Sequence, residues 1–168
     1  GALRLYDPAH PDEPVIAAGA PWYMTLFGRD SLLTSWMALL LDPGLALSTL
    51  RALARLQGRR HDPASEEEPG RILHEVRLSS EASLSVGDGD VYYGTADATP
   101  LFVMLAHELW RWGTPLAVLE PLLPAVDAAL GWLAGPGDPD GDGYVEYAPR
   151  HDRSLANQGW KDSFDGVS

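Results

Sequence analysis

Two ten-residue runs constrain this chain more than any other feature. LLTSWMALLL at 32–41 and LFVMLAHELW at 101–110 are apolar on nearly every side at helical length. A helix of that kind is buried all round. Each run is followed by an amphipathic segment. After the first comes a helix over about 45–57, with Leu47, Leu50 and Leu53 at helical spacing while Arg51 and Arg55 project elsewhere. After the second comes a helical region from Thr114-Pro115 to about Ala134, split in two by Pro121 and Pro124.

The punctuation agrees. Asp30 is expected to cap the first helix, 31–41, and Asp42-Pro43-Gly44 to end it. Asp97 or Thr99 caps the third, with Pro100 in its first turn and an end near Trp112. Residues 1–28 predict an irregular lead-in with one extended stretch at 15–17. Residues 58–95 and 135–160 predict long loops. No strand-period segments interleave, so a parallel sheet is not expected.

Alternating buried and amphipathic helices are what concentric layers produce. The expected class is therefore all-α, a partial α/α toroid of two to three helix pairs with long connecting loops, forming a single domain over 1–168. A plain bundle or solenoid is the alternative, and no fixed repeat period supports the solenoid.

Composition narrows the function. The formal charge is −12, which disfavours nucleic acid and anionic lipid as partners. No uninterrupted run of 18 apolar residues is present, so no membrane span is expected. There is no cysteine, hence no disulfide framework or thiolate metal site. With no basic-then-apolar leader, this fits a cytoplasmic location. The start at Gly1 rather than Met reads as an incomplete N-terminus. An uncharged substrate suits the chain. Its six tryptophans and six tyrosines are core residues or stacking faces for sugar rings.

Four polar segments sit at the joints between helices, where a toroid would gather them around one pocket. In the first, Trp22-Tyr23 precede Arg29-Asp30 at the mouth of a buried helix. Asp30 caps and Arg29 is a surface charge, or both hydrogen-bond sugar hydroxyls with an aromatic wall beside them. The second is EEEPGRILHEVR at 66–77. Its three glutamates read as a solvated loop, and His74-Glu75 lacks the second histidine of a zinc helix. Glu75 and Arg77 read as an ion pair lining the pocket. The third, Tyr92-Tyr93-Gly94-Thr95-Ala96-Asp97, repeats the logic of the first. The fourth, Asn157 to Asp165, sets Asp162 and Asp165 beside Trp160-Lys161. A carboxylic acid packed by tryptophan can serve as the general acid of glycoside hydrolysis. The alternative is that one of these aspartates caps the next helix.

A separate motif runs DPDGDGYVE at 138–146. Oxygens at positions 1, 3 and 5 and glycine at 6 match the first half of an EF-hand loop, but Pro149 stands where that loop needs glutamate. A shorter calcium loop would use Asp138, Asp140, Asp142, the Tyr144 carbonyl and Glu146. A glycine-rich turn without an ion is the other reading.

Taken together, PWYMTLFGRDS at 21–31, EEEPGRILHEVR at 66–77, YYGTADATPLF at 92–102, DPDGDGYVEY at 138–147 and QGWKDSFD at 158–165 resemble the bacterial glycogen-debranching, amylo-α-1,6-glucosidase-like proteins. These are related to glucoamylases and trehalases built on an (α/α)6 barrel. The resemblance spans roughly residues 20–168.

It implies that Arg29 and Asp30 bind sugar in the −1 subsite, that Trp22 and Tyr23 line it, and that Glu75, Asp97, Trp160 and Lys161 belong to the same pocket. It implies Asp162 as general acid of an inverting mechanism, in which a glutamate base activates water. The base lies beyond residue 168 in such barrels, so the chain is expected to be a fragment with little hydrolytic activity. The substrate is an oligosaccharide or glycogen-type glucan, with no required cofactor beyond a structural calcium. Apolar inner helices left uncovered predict a homo-oligomer. A trehalase-like or mannosylglycerate-hydrolase-like glycosidase, or a non-catalytic carbohydrate- or calcium-binding module, are the competing readings.

Overall fold

The computed structural model describes residues 4–7, 10–19, 24–77, 90–147 and 157–159. It opens on two strands, β1 (Arg4–Asp7) and β2 (His10–Ile16), which pair antiparallel with Leu5 opposite Val15. Then come α1 (Gly28–Met37), α2 (Pro43–Arg55), β3 (Glu75–Arg77), β4 (Asp90–Tyr92) and α3 (Ala98–Arg111). The last elements are α4 (Leu116–Leu119), a 3-10 turn (Glu120–Leu122) and α5 (Leu123–Leu133).

The chain is thus mixed α/β, and the expectation of an all-α partial toroid is wrong. Two antiparallel two-stranded sheets, β1–β2 and β3–β4, accompany the helices. The lead-in read as irregular holds the first sheet. The extended stretch expected at 15–17 overlaps only the end of β2, and Pro11 and Pro14 hide the rest of that strand from the sequence. A two-stranded sheet gives each strand an outer edge, where proline's missing N–H is tolerated.

The layering also fails. In α1, the helix expected to be buried on every side, only Gly28, Ser31, Leu32 and Ser35 are buried. Met37 lies 77% exposed, and Leu41 in the turn beyond is 86% exposed. The amphipathic α2 is the more buried helix, hiding Leu45, Ala46, Ser48, Thr49, Leu50, Ala52 and Leu53, because β2, α1 and α3 pack around it. On α3, Phe102, Leu105 and Leu109 face the core, while Met104 and Trp110 face outward. Apolarity all round did not mean burial all round.

Other boundaries follow the punctuation. Helix α3 runs within a residue or two of its expected span, and Pro121 and Pro124 divide the region after it. That region, Leu116–Leu133, has mean hydropathy 1.5 and is long and apolar enough to cross a membrane by length and composition only. It is broken by the 3-10 turn, and α5 packs on α3.

One core cluster joins the elements, from Leu5 and Val15 through Leu32, Leu50 and Leu53 to Phe102, Leu109 and Ala129. Outside it, Glu13 of β2 accepts hydrogen bonds from Arg51 and Arg55 of α2, each 2.8 Å long. Burial alone would raise its carboxyl pKa. The two arginines outweigh burial and hold it below the ordinary glutamate range.

Candidate functional site

The N-termini of α1 and α3 meet. Gly28 donates its N–H to the His74 carbonyl at 2.8 Å. A Cβ on Gly28 would run into the Leu73 carbonyl and the Ala98 side chain, so only glycine permits this approach. Phe27, not Asp30, holds the N-cap position of α1, and Asp30 falls in its first turn. Asp97 holds the N-cap position of α3 without capping it.

Both aspartates instead face Arg29. The Arg29 Nη1 donates to Asp97 Oδ2 at 3.1 Å and to the Gly159 carbonyl at 3.3 Å. Its Nε lies 3.7 Å from Asp30 Oδ2. Thr95 Oγ1 donates to Asp97 Oδ1 at 2.6 Å. The Arg29 side chain is 12% exposed, whereas Asp30 and Asp97 are 45% and 24% exposed. A fixed guanidinium therefore holds two partly exposed carboxylates, each able to accept from hydroxyl groups.

The structure thus brings together Arg29, Asp30, Asp97 and the turn at 157–159. The backbone of Glu75 bridges to Phe27 and pairs with Tyr92, which places Glu75 beside the α1 entrance. Trp22, Tyr23, Trp160, Lys161 and Asp162 lie outside the described residues.

Behind this surface stands a buried polar network. Glu66 and Glu68, expected in a solvated loop, are both nearly inaccessible. Arg71 stands between them, its Nη1 3.6 Å from Glu66 Oε2 and 3.7 Å from Glu68 Oε2. It donates to the carbonyls of Glu66 and Thr95 and to Gln158 Oε1. Its guanidinium lies over the Trp132 ring, 5.1 Å from the centroid, and Trp132 Nε1 donates to Glu68 Oε2 at 2.8 Å. Tyr92 donates its hydroxyl proton to Glu66 Oε1 at 3.2 Å. Glu66 has φ of 56°, a left-handed conformation that a glutamate keeps only when its surroundings demand it. His74 is buried edge-on between Phe27 and Tyr92, a core position.

Sequence reasoning missed Glu66, Glu68, Arg71 and Gln158. The usable signal was an arginine three and five residues beyond paired glutamates, with Gly70 between. Gly70 has φ of +88° and lies against the Ala128 carbonyl, which turns the chain inward there.

The loop at 138–146 is built as a tight turn. Asp138 accepts from the N–H groups of Gly141, Asp142 and Gly143 at 2.9 to 3.0 Å. The carboxylate oxygens of Asp138, Asp140 and Glu146 lie within 4.8 Å of one another. Asp142, also expected as a ligand, is not in that set and accepts from the Tyr144 N–H. Tyr144 itself is exposed. Partial burial, then repulsion from Asp140, Asp142 and Asp138, raises the Glu146 carboxyl pKa.

A cavity of about 190 Å³ connects the two regions, lined by Glu68, Arg71, Trp132, Pro136, Pro139, Glu146 and Tyr147. An apolar groove of about 430 Å³ lies between α3 and α4–α5. A third hollow, of about 690 Å³, runs between α2 and the Pro121–Ala128 segment. None of these three is lined by Arg29, Asp30 or Asp97.

No family model matches the chain, and no curated protein matches it.

Proposed function

We propose that this chain is part of a glycoside hydrolase acting on α-glucosidic bonds, with Arg29, Asp30 and Asp97 binding the sugar and Asp162 as general acid. One observation carries the reading. Arg29 hydrogen-bonds residues 68 and 130 positions away. Three segments with debranching-enzyme-like motifs thereby meet at one cluster of polar groups. Fixed donors beside partly exposed carboxylates suit an uncharged polyol better than an ion, since the trio Arg29, Asp30 and Asp97 carries only one excess negative charge.

In the proposed mechanism Asp162 protonates the leaving oxygen while water attacks the anomeric carbon from the opposite face. A carboxylate base activates that water, which inverts the configuration. The resemblance puts that base beyond residue 168. In a form of the protein that hydrolyses α-glucosides, Asp162→Asn is expected to lower turnover by about 10²- to 10⁴-fold. Isomaltose affinity, read by calorimetric titration, should stay within about threefold. Unchanged turnover rejects Asp162 as the acid. Affinity without turnover in every form favours a binding module.

The proposal extends to calcium at Asp138, Asp140 and Glu146, supported by the proximity of their oxygens. Calcium at about 100 times its Kd should add roughly 2–3 kcal/mol of stability, seen as a calcium-dependent rise in Tm that Asp138→Ala removes. Binding needs Glu146 ionised. Because that carboxyl keeps its proton to higher pH than usual, affinity should fall as pH is lowered. A Tm indifferent to millimolar calcium rejects the site.

A further inference from the structure

We propose that Gln158 is a positioning residue, clamped between Glu66 and Arg71, that holds the 157–159 turn against Arg29 and Asp97. Its functional half rests on the carbohydrate reading; its geometric half does not.

The Gln158 side chain is buried, and its Nε2 donates to both Glu66 oxygens, at 3.0 and 2.8 Å. Its Oε1 accepts from Arg71 Nη2 at 3.1 Å. This orientation has one solution, since a carboxylate only accepts and a guanidinium only donates. Leucine there would remove both Gln158 N–H donors from Glu66. Glutamate would add a third carboxylate to a cluster that, among the described residues, holds one arginine.

The backbone of the same turn carries the attachments to the site. The Gln158 carbonyl accepts from the Ala96 N–H at 3.0 Å, one residue before Asp97. The next carbonyl, of Gly159, accepts from Arg29. A side chain locked in the core thus sets the height at which the turn meets Arg29. An outer tie assists it: Tyr147 donates its hydroxyl proton to Asn157 Oδ1 at 3.0 Å, which also accepts from the Gly159 N–H. Among the described residues, the groups facing the Gln158 amide are Glu66 and Arg71. Behind them stand Glu68, against Arg71, and the Tyr92 hydroxyl, on Glu66.

Gln158→Glu tests the clamp. It replaces the two Nε2 N–H donors with a carboxylate that can only accept, set against the Glu66 carboxylate. The variant should bind isomaltose at least roughly tenfold more weakly than the wild type. Exchange of the Ala96 amide proton should quicken by about tenfold or more relative to wild type, while α3 core amides are unchanged. Tyr147→Phe leaves the buried network intact and serves if Gln158→Glu does not fold. It should weaken isomaltose binding about threefold.

Wild-type affinity in both variants, with Ala96 exchange unmoved and only Tm shifted, would overturn the clamp and leave Gln158 a packing residue. If the wild type binds no isomaltose but Ala96 exchange responds as stated, the carbohydrate reading falls and the clamp stands.

Discussion

Arg71→Met should destabilise the protein by about 3–5 kcal/mol, the cost of removing one partner from a buried ionic cluster. Arg71 is almost wholly enclosed, and the carboxylates it separates, Glu66 and Glu68, have side chains 1% and 5% exposed. Methionine fills most of the space but supplies no charge and no donors. It takes the Arg71 cation away from two buried carboxylates. It also frees the carbonyls of Glu66 and Thr95 and the Oε1 of Gln158 from the hydrogen bonds they accept.

Urea unfolding measures the loss, and the midpoint Tm near neutrality should drop by about 10 °C. Adding Glu68→Gln should recover part of the loss. A change below about 1 kcal/mol at neutral pH would contradict the network as described.

Arg29→Met should weaken isomaltose binding by about 100-fold, near the 2–3 kcal/mol of a charged hydrogen bond and the partner it leaves unmade. Among the described residues Arg29 spans three acceptors: Nε faces Asp30, while Nη1 holds Asp97 and Gly159. Arg29→Lys keeps the charge, but one ammonium cannot reach both ends of that span. It should sit between wild type and methionine. The stability cost should be smaller than for Arg71, because Asp97 and Asp30 are partly exposed and water can replace the lost partner. Calorimetric titration reads the affinity and urea unfolding the stability. Isomaltose affinity unchanged in Arg29→Met would contradict the assignment of Arg29 to the site.

Much of this architecture is local, and the local part was legible. Pro100 opening α3, and Pro121 with Pro124 dividing the helices after it, act through the backbone alone. Burial is not local. The run at 32–41 is apolar to its end, yet Met37 at the end of α1 and Leu41 in the turn beyond it face outward, because α1 buries one face, that of Gly28, Ser31, Leu32 and Ser35. Only the end of strand β2 was legible, as the extended stretch at 15–17, because Pro11 and Pro14 argue against a strand before it, and the edge position that excuses them is a tertiary fact.

In the site, Arg29, Asp30 and Asp97 were legible as polar residues at helix entrances, and they do meet. Glu66 and Glu68 were not. Consecutive glutamates belong in solvent unless cations and donors are brought to them. Here these come from Arg71, Trp132 and, 92 residues beyond Glu66, Gln158.

The central claim is that helix entrances far apart in the chain form one sugar-binding surface. Titration of isotope-labelled protein with isomaltose, followed by NMR, tests it most directly. The amides of Ala96, Asp97 and Gly159 and the Arg29 Nε–H should shift together with a single Kd. If those signals stand still while isomaltose perturbs the 138–146 loop or the groove between α3 and α5, the claim is contradicted.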